Sequence, residues 1–337
     1  MQRVAYGGQD IYITCNPQIT FFKVVYRRHT NFAIETVEQT FVGTIAFGNK
    51  VTAKISRNGD LISRMYLRII LGSVDPRVTN SSFAWVRRIG HAIINQVEVE
   101  IGGTKIDRQY GTWLDVWYEL ARQGDHELGY SKMIGDVPQL TAYDTNVKDA
   151  YTLYVPLQFW FNKFVGLAIP LIALQYHETN IHVTFANVNR LIVGDCRFNT
   201  ASVSLQDASI LVDYIYLDTD ERRRFALVGH EYLIEQLQFN GHEQVTALQT
   251  KYTLDFNHPT KELIWANRNG MYNIGQPFVY YTNEDEWSPI SAAYNIISNS
   301  VSCGINPQSV VGGIWIEVPA NTITPVGTLT INNNARH

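Results

Sequence analysis

Charge is scarce in this sequence. Asp, Glu, Lys and Arg make up 17% of its 337 residues, against a usual share of about 25%. The apolar share is 45%, so little charge accompanies an ordinary supply of core-forming residues. That balance excludes an intrinsically disordered chain, which needs low hydrophobicity and high charge. Positive charge is not in excess either: the formal net charge is −4, and no global basic field draws in nucleic acid. Cysteine is limited to Cys15, Cys196 and Cys303. These lie far apart and match no metal-ligand spacing. An odd, sparse set suits a reducing compartment, which points to assembly in the cytoplasm. The start, MQRVAYGGQDIYIT, lacks the apolar centre of a secretory leader. No run of about 18 apolar residues exists to cross a bilayer as a helix.

What the chain does have is strand signal. In KVTAKISRNGDLISRMYLRII two β-rich runs flank Asn58-Gly59, a pair that tolerates the positive φ of a tight turn and predicts a hairpin. Val97, Val99 and Ile101 alternate with Gln96, Glu98 and Glu100 before Gly102-Gly103. Period two places the apolar set in a core and the carboxylates in solvent, and the glycines make a second hairpin. Ile181, Val183 and Phe185 alternate in the same way with His182 and Thr184. SVSLQDASILVDYIYL reads as one long strand ending at Leu217.

Helical signal is brief. GTWLDVWYELARQG spaces Trp113, Val116, Trp117 and Leu120 for one apolar stripe and stops at Gly124. Pro156, Gly166 and Pro170 cut the next apolar run into short turns. The clearest boundary is Asp218 to Phe225. Asp218 with Glu221 three residues later makes a capping-box pattern, followed by Arg222, Arg223 and Arg224. Acids in the first turn and arginines after it suit the helix dipole, so a short helix is predicted there. Strand signals then resume in YLIEQLQF, QVTALQTKYTLDF, KELIWA, PFVYYT, GGIWIEV and GTLTI. Many short strands with few helices indicate tandem antiparallel β-sandwiches or barrels, an all-β class.

Five blocks carry a resemblance: NPQITFFKVVYRRHTNFAIE, ISRNGDLISRMYLRI, GLAIPLIALQYHETNIHV, VDYIYLDTDERRRFA and HEYLIEQLQF. In this order they resemble the major capsid proteins of nucleocytoplasmic large DNA viruses. The resemblance implies a double jelly roll. It implies an N-terminal arm at 1–18, a first roll at 19–217, a linker helix at 218–228 and a second roll at 229–337. It also implies homotrimers with pseudo-hexagonal outline, tiling an icosahedral shell as part of the virion. The partners implied are neighbouring capsomers, minor capsid proteins and an internal viral membrane, with no direct contact to nucleic acid. Three such chains approximate six-fold packing while using closed three-fold symmetry.

The second roll is short for the family. A compact divergent roll, a minor capsid or vertex variant and a truncated chain all remain open at this point. A carbohydrate-binding jelly roll is a further alternative, since aromatics reach 12% and rings can stack on sugars.

No catalytic, cofactor or metal residue is assigned. Gly229-His230-Glu231 and Gly241-His242-Glu243 lack the spacing that sets two histidines on one helix face, and Tyr176-His177-Glu178 with His182 lacks the His-x-His cluster of metal-binding cupin jelly rolls. Arg222, Arg223 and Arg224 follow three acids, and Arg27-Arg28-His29 is equally short. Ion pairing within or between chains explains both better than phosphate binding, which needs a wider basic surface. Asn80-Ser81-Ser82 has the form of a glycosylation acceptor in a loop.

Overall fold

The computed structural model describes residues 30–79, 81–122, 124–194, 199–242 and 251–266, and the strands Trp315–Glu317 and Thr324–Val326. Eight main strands form two antiparallel sheets. One sheet has the order β1 (Phe32–Thr40), β11 (Leu205–Leu217), β3 (Leu61–Leu71), β7 (Tyr151–Pro156), with the short β8 (Ile169–Pro170) also on β3. The other has the order β2 (Lys50–Lys54), β9 (Thr179–Phe185), β5 (Ile94–Ile101), β6 (Thr104–Gln109). The chain passes repeatedly between the sheets, and the last main strand returns beside the first. That is the strand order of a jelly roll.

The core lies between the sheets. Met65, Leu67, Ile69, Leu153, Val155, Ile210, Val212 and Tyr214 of one sheet face Val51, Ala53, Val97, Val99, Ile181, Val183 and Phe185 of the other. Alternation along β9 is regular, with Thr179, Ile181, Val183 and Phe185 inward, as period two requires. Three connections gather at one end. That between β3 and β5 carries β4 (Phe83–Trp85) and α1 (Ile89–Ala92). The one between β6 and β7 carries α2 (Gly111–Ala121), α3 (Glu127–Ile134) and α4 (Pro138–Thr141). The third carries β10 (Ile192–Gly194), which pairs with β4. Fully buried Trp85 and Phe83 meet edge to face at 5.4 Å in this cap. Short turns after Pro156, including α5 (Trp160–Lys163), break the apolar run there. A last helix, α6 (Thr219–Leu227), starts at Asp218, whose carboxylate accepts a hydrogen bond from Thr219 N–H.

Several sequence expectations change. Asn58-Gly59 makes no hairpin: β2 pairs with β9 while β3 pairs with β11 and β7, so the chain crosses between sheets there. Gly59 serves a close approach instead, because a Cβ would come within 2.8 Å of the Tyr214 Cβ. Gly102-Gly103 does turn the β5–β6 hairpin, with φ of +59° and +81°, the left-handed pair of a tight two-residue loop. The stripe Trp113, Val116, Trp117, Leu120 is not the buried side of α2. Leu114 and Asp115 face inward, and Leu120 is 62% exposed, because Asp115 answers a buried arginine. Helix α2 ends at Ala121, before Gly124.

YLIEQLQF and KELIWA join no strand ladder among the described residues. YLIEQLQF runs extended against β6 through side-chain bonds. GGIWIEV supplies β12 (Trp315–Glu317), paired with β13 (Thr324–Val326). PFVYYT, GTLTI, most of QVTALQTKYTLDF, the arm at 1–18, the three cysteines, Arg27, Arg28, His29, Glu243 and Asn80 lie outside the described residues.

Candidate functional site

The described residues offer surfaces and charge clusters, not a convergent reaction centre. The first cluster lies on the outer face of the β2-β9-β5-β6 sheet. Glu98 points outward from β5, as the alternation predicts, yet it is 1% exposed. Lys50 of β2 and Lys105 of β6 each donate to its carboxylate at 3.1 Å, and Arg108 donates at 2.7 Å. Burial pushes this carboxyl up, but the three cations outweigh it and bring it down to about 2. One strand position along, Glu100 takes hydrogen bonds from Asn180 and from His182 Nε2, both at 3.2 Å. The other His182 nitrogen lies 2.8 Å from the Thr52 hydroxyl. The outer face is therefore a sewn layer of charged side chains, where carboxylates free in solvent had been expected.

The second cluster fastens the cap. Arg88 precedes α1 with φ of 54°, a left-handed conformation that costs a non-glycine residue on the order of 1–3 kcal/mol. Its guanidinium is buried and bonds Asp115 at 3.0 Å, pairs with Glu119, and lies 3.6 Å from Asp136. Burial disfavours the Arg88 charge, but Asp115 and Glu119 more than compensate and raise its pKa. His91, fully buried, sets Nδ1 3.2 Å from Asp115 and Nε2 2.7 Å from the Tyr130 hydroxyl. A carboxylate only accepts, so the Nδ1 proton faces Asp115. Burial pushes the Asp115 carboxyl up, while His91 and Arg88 pull it further down, below the ordinary range. Tyr118 stacks on Tyr130 at 4.3 Å with Arg88 above it at 5.0 Å. Asp115, His91 and Tyr130 thus stand in line and join α1, α2 and α3.

The residues singled out from sequence fall in separate places. Arg222 reaches back to Asp60, Nε to Oδ1 at 2.9 Å and a terminal nitrogen to Oδ2 at 3.0 Å. Asp60 also accepts from Leu217 N–H at 2.8 Å, tying the start of α6 to β3. Glu221 is half-buried, and Arg223 and Arg224 are exposed. His230 Nε2 lies 2.7 Å from the Phe225 carbonyl. Among the described residues no three His, Cys, Asp or Glu side chains gather as metal ligands.

Exposed apolar surface is the remaining functional feature. Half-buried Trp113 and Trp117 stand 5.6 Å apart on α2, Trp113 also packing on the core, while Leu120 of α2 and Phe164 and Val165 after α5 are exposed. Lys163 Nζ sits 4.3 Å over the Trp117 ring, filling the face that a stacked sugar would need. At the far edge of the other sheet, Phe32 and Ile34 of β1 are 66% and 54% exposed. Among the described residues strand β1 is a nine-residue edge with unbroken register to β11. A long edge with exposed apolar residues invites a partner. Periodicity could not signal Glu98, Arg88 or Asp115, because each is defined by neighbours distant in sequence.

Known proteins give this surface its context. Residues 20–218 match the family described as major capsid protein N-terminus, and residues 221–336 match the large eukaryotic DNA virus major capsid protein. The chain is 50% identical over 297 residues to Capsid protein 1 of Acanthamoeba polyphaga mimivirus, covering 83% of this chain and 50% of that one. It is 45% identical over 271 residues to the major capsid protein of Paramecium bursaria Chlorella virus 1, covering 78% and 59%. It thus spans about half the length of these relatives. Among solved structures, the PBCV-1 virus capsid shares 41% identity with a TM-score of 0.58, over 72% of this chain and 57% of that one. The Faustovirus major capsid protein, at 10% identity and a TM-score of 0.50 over 62% and 58%, shares the fold.

Proposed function

Because the chain belongs to the major capsid protein family of large eukaryotic DNA viruses, we propose that it is a structural subunit of such a capsid. It works by association and catalyses nothing. Three copies form a pseudo-hexagonal capsomer in which α6 joins two jelly rolls of one chain. Neighbouring capsomers, minor capsid proteins and the internal membrane are its contacts, and the virion, assembled in the host cytoplasm, is its place.

The family match on both sides of α6, together with the jelly-roll strand order, carries this reading. The surface chemistry supports it. Exposed Leu120 and Phe164, beside half-buried Trp117, on one element set and Phe32 with Ile34 on another provide two different apolar patches. A cyclic trimer needs such unlike, head-to-tail faces, and obligate assemblies bury more than about 2,000 Å². Mass measurement and low-resolution imaging of the purified chain test it. A trimer with hexagonal outline is expected, and a stable monomer at micromolar concentration would overturn it.

A further inference from the structure

Asn58-Gly59 lies in the connection that carries the chain from β2 in one sheet to β3 in the other. Residues 55–58 belong to no helix or strand, and Asn58 is exposed. Both flanks of the pair are pinned. The Ser56 carbonyl accepts from the Tyr214 hydroxyl at 2.6 Å, and Asp60 N–H donates to the Ile215 carbonyl at 3.0 Å. The Arg57 guanidinium donates to the Leu174 carbonyl at 2.5 Å and to the His177 carbonyl at 3.2 Å. Between these anchors, neither the Asn58 carboxamide nor the Gly59 N–H makes a hydrogen bond among the described residues.

Position 59 has to be glycine, since a Cβ there would meet the Tyr214 Cβ at 2.8 Å. The fold thereby keeps beside Asn58 the residue type that shields its own backbone nitrogen least. Other asparagines are engaged. The Asn162 amide donates to the Ser63 carbonyl at 2.7 Å, and its oxygen accepts from Phe159 N–H at 3.2 Å. Asn180 donates to Glu100 and Asn146 to Asp144. None of these three precedes a glycine.

We propose that Asn58-Gly59 is a self-modification site, converted to isoaspartate through a cyclic imide. The Gly59 nitrogen gives its proton to solvent base and attacks Asn58 Cγ. The new N–Cγ bond forms, the Cγ–Nδ2 bond breaks, and Nδ2 takes up a proton and leaves as ammonia. Water then opens the five-membered imide. Opening at the Asn58 main-chain carbonyl gives isoaspartate, and opening at Cγ gives aspartate. The net change consumes water and releases ammonia, with no oxidant, metal or cofactor. Asparagine is among the thermolabile residues for this reason. The product carries a new negative charge, and as isoaspartate it adds a carbon to the main chain between pinned Ser56 and Asp60. This goes beyond a capsid role and is independent of it, since the chemistry lies within one chain.

Peptide mapping of the full chain, aged at mildly alkaline pH in water enriched in heavy oxygen, tests the site. A synthetic peptide of residues 54–62 in the same buffer times the incubation, which ends once that peptide has converted. The tryptic peptide 58–64 is expected to yield isoaspartate in excess over aspartate, told apart by fragmentation, each carrying a solvent oxygen. Conversion should speed up as pH rises, because attack needs the deprotonated nitrogen. Asn58→Gln should lose the conversion without a change in melting, since its longer side chain requires a six-membered ring. Asn240-Gly241, also exposed, falls in a separate tryptic peptide and is scored apart. Asn58 left intact in the folded chain when the timing peptide has converted overturns the proposal. So does aspartate as the sole product, or conversion of Asn58→Gln at the wild-type rate.

Discussion

The outer face of the β2-β9-β5-β6 sheet and its β6 edge each bury one carboxylate, and the two titrate in opposite directions. Glu98 is 1% exposed and falls to about 2, while Asp107 is 5% exposed and rises to about 6. Burial pushes both upward. Three cations on Glu98 reverse the effect, and three neutral donors on Asp107 do not. Hydrogen bonds alone stabilise the charged form too weakly to offset desolvation at the edge. The face is accordingly sewn by charge at neutral pH, whereas the carboxylate at the edge is held by neutral donors.

Breaking the strongest charge pairing bounds the comparison from above. Asp115→Ala leaves Arg88 buried and short of a partner. Removing one member of a buried pair costs about 3–5 kcal/mol, read as a lower midpoint in denaturant unfolding. At the sheet face, Glu98→Ala leaves Lys50, Lys105 and Arg108 facing one another, with an expected loss of about 1.5–3 kcal/mol by the same measurement. The pH profile sharpens this. Glu98 has a lowered folded pKa, so its contribution is present above the ordinary carboxylate range and disappears as pH falls through about 2. Glu98→Gln should flatten that part of the acid limb of a melting curve.

At the edge the sign inverts. Asp107→Asn should raise the midpoint at pH 7, by about 1 kcal/mol, since it deletes a charge that burial disfavours and keeps one acceptor. The smallest effect belongs to Arg222→Ala. Its side chain is 51% exposed against Asp60, and an exposed pair contributes at most about 1 kcal/mol. An Asp107→Asn chain that loses more stability than Glu98→Ala would show that the two sites do not differ as described.

Part of this was legible beforehand. The inward sets of β5 and β9, the length of β11, the Gly102-Gly103 turn and the Asp218 helix start all follow from local rules, and the structure holds them. Asn58-Gly59 misled because turn chemistry is permissive: the same dipeptide can close a hairpin or pass under Tyr214. The α2 stripe misled because Asp115 is buried by its bonds to Arg88 and His91, which outweigh the pull of Trp117 and Leu120 toward a core. The fastened polar clusters left no local sign, since Arg88 and Asp115 are 27 residues apart and Thr52 and His182 are 130 apart.

The sequence by itself determined an all-β chain with few charges, its strand periodicity, its helix start at Asp218 and its membership of a capsid family. These rest on period, composition and ordered blocks, which need no third dimension. Only the tertiary structure decided which strands pair, which carboxylates meet cations and which aromatics stay outside. Pairing and charge energies depend on distance in space, and the jelly roll brings together residues that the chain holds far apart.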